Sequence, residues 1–324
     1  MRALCSFAGA IGTLCATAAG IVHAQQPYPA KPVRMIVAAA PGGGADITAR
    51  IIAPKLGEFL GQQVIVDNRP GAATMIGTAA VARAAPDGYT LLLALGSFTI
   101  NPSVHAKIPY DALKDFAAVS QVAVAPNFIV VHPSLPVKSV KELIAFAKAR
   151  PGELNYASSG VGGNPHLTME LFLLMTGLKL AHVPYKGVGP AIVDLVAGHV
   201  HIMSTSILST INYVKAGRLR ALAVTGATRS GVAPEIPTVA QAGVPGYEAT
   251  QWFGVLAPAG TPRPVLERLH GDIVRVLKEP EVRKVFVGDG ATPVGSAPEE
   301  FAAFLKADLD KWARVVKAAG VKAE

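Results

Sequence analysis

Cysteine is almost missing from this chain. Of 324 residues two are cysteine, Cys5 and Cys15, and both lie in the first 24. Residues 25–324 therefore offer no disulfide, thiolate metal site or cysteine nucleophile. An oxidising compartment would permit disulfides without demanding them. Charge is sparse too, with Asp, Glu, Lys and Arg at 16% of the chain. The formal net charge of +8 is scattered, and no Lys/Arg block forms. That disfavours a nucleic-acid groove and exerts only a weak pull on anions. Beyond the first 24 residues no apolar run approaches a membrane span. No His, Asp and Glu cluster has metal-ligand spacing. A Walker loop and a dinucleotide fingerprint are both lacking, so no cofactor is expected.

The first 24 residues have a character of their own. Met1-Arg2 is a minimal basic start, and Ala3–Val22 carries no charge. Val22-His23-Ala24 then places small residues at the cleavage positions, before polar Gln25-Gln26. This is the pattern of a secretory signal cut after Ala24. A membrane anchor fits less well, because Gly, Ala, Ser and Thr abound and Leu is scarce. A lipid anchor at Cys15 is opposed by the bulk of Leu14. Cleavage would remove Arg2 and leave 300 residues with a net charge of +7 (324 − 24; +8 − 1). A chain of that length is where single cores begin to divide, so two lobes are expected.

The remainder alternates strand-like and helix-like segments. Val33–Ala40 is an apolar strand ending in Pro41-Gly42-Gly43-Gly44, followed by a helix over Asp46–Leu60 that Pro54 should kink or break. Strands over Val64–Asp67 and Tyr89–Leu95 flank a small-residue helix, Thr74–Ala84. This βαβαβ order predicts a parallel sheet covered on both faces. A second series follows: strands Phe128–His132, Leu154–Ser158, Lys179–Val183, His199–Met203 and Arg220–Thr225, with helices from Ser139 to Ala149, His166–Thr176 and Pro190–Ala197. Ser139-Val140-Lys141-Glu142 reads as a capping box. Ser230–Thr250 reads as a long connection and Trp252–Ala257 as a last strand. Two helices close the chain, Pro264–Leu277 and one opened by the box Ser296-Ala297-Pro298-Glu299, with Phe301, Phe304, Leu305, Leu309 and Trp312 facing inward.

Two glycine-rich loops stand where a strand gives way to a helix. In Pro41-Gly42-Gly43-Gly44-Ala45-Asp46 the backbone can approach a ligand and turn its N–H groups toward it, beside the positive end of a helix. Taken alone, an anion cradle and a plain strand–helix turn fit equally, with Asp46 a cap or dipole partner. The second loop, Ser158-Ser159-Gly160-Val161-Gly162-Gly163-Asn164-Pro165-His166, adds hydroxyls and an imidazole. Ligands in open α/β sheets sit beyond the carboxyl ends of strands, so the pair would clamp a small anion from two sides. The rival is a hydrolase with Ser158 or Ser159 as nucleophile and His166 as base. It lacks the Gly-x-Ser-x-Gly elbow and a third group to orient His166. His182, His199 and His201 read as strand-edge or surface residues. Trp252 and Tyr247 fit a hinge lining or a core equally.

From Tyr28-Pro29-Ala30-Lys31-Pro32 to the last helix the sequence resembles the Bug-type extracytoplasmic receptors of tripartite tricarboxylate transporters. The resemblance rests on ordered blocks, among them Pro41–Asp46, Asn68-Arg69-Pro70-Gly71-Ala72, Pro86-Asp87-Gly88-Tyr89-Thr90-Leu91, Asn101-Pro102-Ser103, Pro109-Tyr110-Asp111 and Tyr156–Gly160. His182-Val183-Pro184-Tyr185-Lys186-Gly187, Pro237-Thr238, Ala242-Gly243, Trp252-Phe253-Gly254 and Ala257–Pro262 complete it. It implies an α/β type II periplasmic binding protein, a Venus flytrap of two lobes with the ligand cleft between them. It implies a non-enzymatic receptor for a carboxylate held by backbone amides and ordered water. By position, Gly42, Gly43, Gly44, Asp46, Ser97 and Asn101 carry over to the first lobe's site. Ser158, Ser159, Gly162, Gly163, Asn164, His166 and Thr205 carry over to the second's. The expected lobes are 25–124 with 247–324, and 125–246, each boundary within about ten residues. A monomer serving membrane permease subunits, with no nucleic acid, is the expected setting; a sensor for a membrane signalling protein is the alternative.

Two departures bear on the ligand. Gly163 stands where the family usually has Thr, and Ser204-Thr205 where it usually has Phe-Asp. Loss of that carboxylate points to a ligand without an amino group. Tight aspartate or glutamate binding with no binding of simple carboxylates, measured by titration calorimetry, would contradict this.

Overall fold

Strand β1 (Val33–Val37) sets the pattern of the first half: Val33, Met35, Ile36 and Val37 are all buried. It pairs in parallel with β2 (Val64–Asn68) and β3 (Thr90–Leu95). Leu91, Leu92 and Leu93 are consecutive and fully buried, as they must be where helices cover both faces of a sheet. Each such side chain contributes about 1.5–3 kcal/mol by leaving water. The structure is a computed structural model and describes residues 28–288 and 290–322. The secretory signal expected over residues 1–24, with Cys5 and Cys15, falls outside the described residues.

The crossover helices are α1 (Gly44–Leu60), α2 (Met75–Ala82) and, after β3, α3 (Ser97–Val104). Helix α1 runs unbroken through Pro54, where the sequence predicts a kink or a break. Proline removes one backbone donor, and the buried stripe Ala49, Ile52, Ala53, Leu56 and Leu60 packs in one core on either side of it.

The long strand β4 (Phe116–Val131) follows, then α4 (Val140–Lys148), β5 (Asn155–Ser158), α5 (Asn164–Thr176), β6 (Ala181–Pro184), α6 (Val188–Ala197), β7 (Ile202–Ser206), α7 (Ile207–Lys215) and β8 (Arg220–Val224). After a connection without helix or strand come β9 (Thr250–Pro258), α8 (Arg263–Lys278), α9 (Pro280–Gly288), β10 (Thr292–Pro293) and α10 (Pro298–Ala319). The strand order is β2-β1-β3-β9-β4-β7-β5-β6, with β8 and β10 also paired to β4. The 16 residues of β4 serve both halves: Phe116–Pro126 pairs with β9, and Asn127–Val131 pairs with β7 and β8. Helix α10 also spans them, Phe301 and Leu305 joining a core of the first half while Trp312 and Val316 join one of the second.

The structure corrects several sequence expectations. The strand expected from Phe128 begins at Phe116. The one expected to end at Met203 runs to Ser206, and α7 follows it directly. The cap of α10 is Ala297, whose N–H donates to Glu300 Oε2. Ser296 instead bonds the shared strand: its Oγ accepts from Gln121 N at 3.0 Å, and its carbonyl accepts from Ser120 Oγ at 2.9 Å.

Candidate ligand-binding site

Beyond the carboxyl ends of β1, β3, β5, β6 and β7 the chain turns each time into a helix. The starts of those five helices ring a cavity of about 710 Å³. Helix α1 presents Gly43, Gly44 and Ala45, and α3 presents Ser97. Helix α5 contributes Gly163, Asn164 and Pro165, α6 contributes Gly187 and Val188, and α7 contributes Ser206 and Ser209. The opening N–H groups of a helix have no partner within it, and the helix dipole leaves a partial positive charge there. Five such ends converge on one space. No Asp or Glu is among the lining residues, and Lys186 is the one Lys or Arg. Electrostatically this is a site for an anion.

The floor is built of hydroxyls and amides left without partners. Thr205 Oγ1, Ser206 Oγ, Ser209 Oγ, Asn127 Oδ1 and Asn164 Nδ2 are buried and make no hydrogen bond among the described residues, and all five residues line the cavity. Such atoms cost about 1–3 kcal/mol each when unsatisfied, so they call for a ligand or water. The two amides are themselves tied, Asn127 Nδ2 donating to Asn164 Oδ1 at 2.9 Å. Asn127 lies where β4 passes from one half to the other, and its backbone N–H donates to Thr225 Oγ1 at 2.8 Å. The floor is thus fixed to the crossover strand.

Close packing explains some of the glycines. A Cβ on Gly44 would stand 2.7 Å from Phe253 Cζ and 3.3 Å from Ser206 Oγ. Gly42 has φ +80°, in the left-handed region that glycine enters freely. A Cβ on Gly163 would meet Ser159 Oγ at 2.5 Å, which fits the departure from Thr at this position. At the mouth the halves touch: ideal Cβ atoms on Gly187 and Gly189 would lie 2.9 Å from Ala40 Cβ and 3.2 Å from Pro41 O. Another part of the wall is Ala72, Ala73 and Thr74, three successive non-glycine residues with positive φ. Asn101 holds this turn, donating from Nδ2 to Ala73 O at 2.8 Å.

Of the residues singled out in the sequence, Gly43, Gly44, Ser97, Ser159, Gly163, Asn164 and Thr205 line the cavity. Asp46, Asn101, Ser158, Gly162 and His166 are buried outside that lining, and Gly42 is exposed beside it. Asp46 Oδ2 accepts from Gly42 N at 3.0 Å and Oδ1 pairs with Arg50 at 3.0 Å. Burial works against its charge, and the hydrogen bonds from Arg50, Gly42 and Asn68 outweigh it, leaving the carboxyl below its ordinary range. Ser158 is fully buried, its Oγ 2.6 Å from His182 Nε2. His166 Nδ1 accepts from Gly162 N at 3.0 Å, and its ring stacks on His182 at 4.0 Å between centroids. Burial holds the His166 imidazole down to about 3, helped by its neighbour, and His182 to about 4. This cluster braces the second loop from behind: Ser158 is closed off from the cavity, and His166 has given its acceptor to the backbone. Trp252 and Tyr247 are core residues, 1% and 2% exposed.

The sequence reading missed Asn127, Ser206, Ser209, Gln251 and Phe253, all of which line the cavity. The signal available was Ser204-Thr205-Ser206 after an apolar strand, a start signature for a helix.

Residues 48–321 match the family described as tripartite tricarboxylate transporter family receptor. Protein BugT of Bordetella pertussis is 42% identical over 316 residues, covering 96% of this chain and 97% of that one. Among solved structures, Rpa4515 of R. palustris with adipate superposes with a TM-score of 0.89 at 38% identity, covering 91% of this chain and 99% of that one. MatC of Rhodopseudomonas palustris with bound malate gives 0.83 at 29% identity, covering 89% and 100%. The fold is that of a periplasmic binding protein, two α/β lobes with a cleft between them, and the class is a solute-binding receptor rather than an enzyme. The chain belongs to the tripartite tricarboxylate transporter receptor family.

Proposed function

We propose that this chain captures a small carboxylated solute outside the cytoplasm and delivers it to the integral-membrane permease subunits of a tripartite transporter. The carrying observation is the convergence of five helix starts and a floor of unpartnered hydroxyls on a cavity lined by no carboxylate. Charge-assisted hydrogen bonds to such donors contribute about 1.5–3 kcal/mol each, enough for a few of them to hold an anion without a salt bridge. The adipate and malate of the two structural relatives support the carboxylate reading.

In this reading residues 1–24 are a signal removed after Ala24, and the mature protein acts as a periplasmic monomer. Lobe 1 comprises residues 25–124 and 247–324, and lobe 2 comprises 125–246. Ligand bridging both lobes stabilises the closed form. Gly43, Gly44, Ser97, Ser159, Gly163, Asn164 and Thr205 contact it; Gly42, Asp46, Asn101, Ser158, Gly162 and His166 hold those contacts in place.

The test is mass spectrometry of the molecule released from protein purified without denaturation, followed by a thermal-shift screen of carboxylates. A carboxylate in the released fraction that also raises the melting temperature of the emptied protein is the expected result. A released non-carboxylate, with no carboxylate giving a shift, sinks the proposal.

A further inference from the structure

We propose that the ligand is a carboxylate without an amino group, carrying an apolar body larger than that of a C4–C6 diacid, such as an arylalkanoic acid. This rests on the carboxylate-receptor reading above and goes on to name the class of acid.

The first observation is electrostatic. An α-amino acid brings an ammonium next to its carboxylate, and a buried ammonium needs an acidic partner. None lines the cavity. On the cavity floor lie Thr205, Ser206 and Ser209, exposed by 1%, 6% and 9%, with their hydroxyls unpartnered among the described residues. They cluster at the positive start of α7, so a cation there meets helix ends of its own sign, while a second anionic or hydroxyl oxygen meets donors.

The second observation is size and lining. One molecule of liquid water takes roughly 30 Å³, and bonded heavy atoms pack closer than that, so an acid of about ten heavy atoms fills less than about 300 Å³. The cavity holds about 710 Å³. The apolar part of the lining includes Ala39, Ala73, Met75, Val161, Val188 and Phe253, while Thr74, Ser97, Ser159 and Lys186 add polar groups beyond the floor. Space bounded by such side chains gains from burying apolar surface of the ligand.

The experiment is calorimetry on protein emptied by unfolding and refolding, with matched acids: succinate, malate, adipate, aspartate, 3-phenylpropanoate, 2-naphthoate and L-phenylalanine. An aryl acid should bind about tenfold or more tighter than succinate, malate or adipate, and 3-phenylpropanoate about a hundredfold tighter than phenylalanine. Succinate, malate or adipate binding as tightly as the aryl acids overturns the size inference. Aspartate or phenylalanine matching its deaminated partner overturns the charge inference. If no acid binds at all, the carboxylate reading itself falls. Val188→Phe should lower aryl-acid affinity about tenfold while moving succinate far less. Should that variant fail to fold by circular dichroism, Met75→Phe makes the same test from the opposite wall. Equal losses for both acids in the folded variant count against an apolar subsite.

Discussion

The contact between Gly44 and the Phe253 ring leaves no room for a methyl group. Gly44→Ala forces the ring or the helix start to move, so a destabilisation of about 1–3 kcal/mol and a loss of ligand affinity are expected, measured by urea melts and calorimetry. Gly43 differs. A Cβ there lies 3.6 Å from Ala40 O and 3.8 Å from Val188 Cβ, ordinary contact distances, so Gly43→Ala should fold and bind while Gly43→Phe folds and no longer binds. Unchanged affinity in Gly43→Phe would contradict the placement of the ligand against α1. Asn101 acts through the turn it holds. Left-handed backbone at a non-glycine residue costs about 1–2 kcal/mol, and Ala72, Ala73 and Thr74 carry it in succession. Asn101→Ala removes the restraint on that wall and should weaken binding, with a further stability loss of about 1–3 kcal/mol from the orphaned partners. A ligand affinity equal to wild type would show that the wall needs no support.

The stacked imidazoles behind the β5–α5 loop set how that element responds to acid. His166 and His182 are held neutral by burial, to about 3 and about 4, against about 6.5 for an unfolded histidine. Between those values the unfolded chain binds more protons, so stability is full above about pH 6.5 and falls as pH drops toward 4. Burial raises the Asp308 carboxyl, which opposes this trend with a single proton. Urea midpoints should therefore fall from pH 7.5 to pH 5, and less steeply in His182→Phe, where a ring stays in the stack and one proton is removed. A flat wild-type profile would refute the coupling. These elements were readable in the sequence wherever strands were apolar and turns were marked, as at Pro41–Gly43 and Ser158–Gly163. Two were not. The first part of β4 mixes Ala, Ser and Gln with Val and shows no alternation, because α8 covers one of its faces and α10 the other. Helix α7 follows β7 without a glycine or proline between them, so no break marked it, and the hydroxyl floor it carries went unread.

At the scale of the molecule, closure can be fixed chemically. An ideal Cβ on Gly43 lies 3.8 Å from Val188 Cβ, the mean spacing of about 3.8 Å across a disulfide, and residues 16–324 contain no competing cysteine. The pair Gly43→Cys and Val188→Cys should oxidise faster when ligand is present, and the oxidised form should release ligand far more slowly than the reduced form. Dissociation rates measured with and without reductant decide the matter; equal rates would mean that the mouth is not the exit. The two-lobed plan was legible from length and from the repeated strand–helix order. The single strand β4 shared by both halves was not, because register between distant strands leaves no local mark. That crossing has a consequence for biogenesis. Strand β9 lies between β3 and β4, so the first sheet lacks its middle until residue 258 has been made. A ribosome-bound chain missing its last quarter cannot complete this sheet, so the first half of the molecule reaches its native pairing only near the end of synthesis.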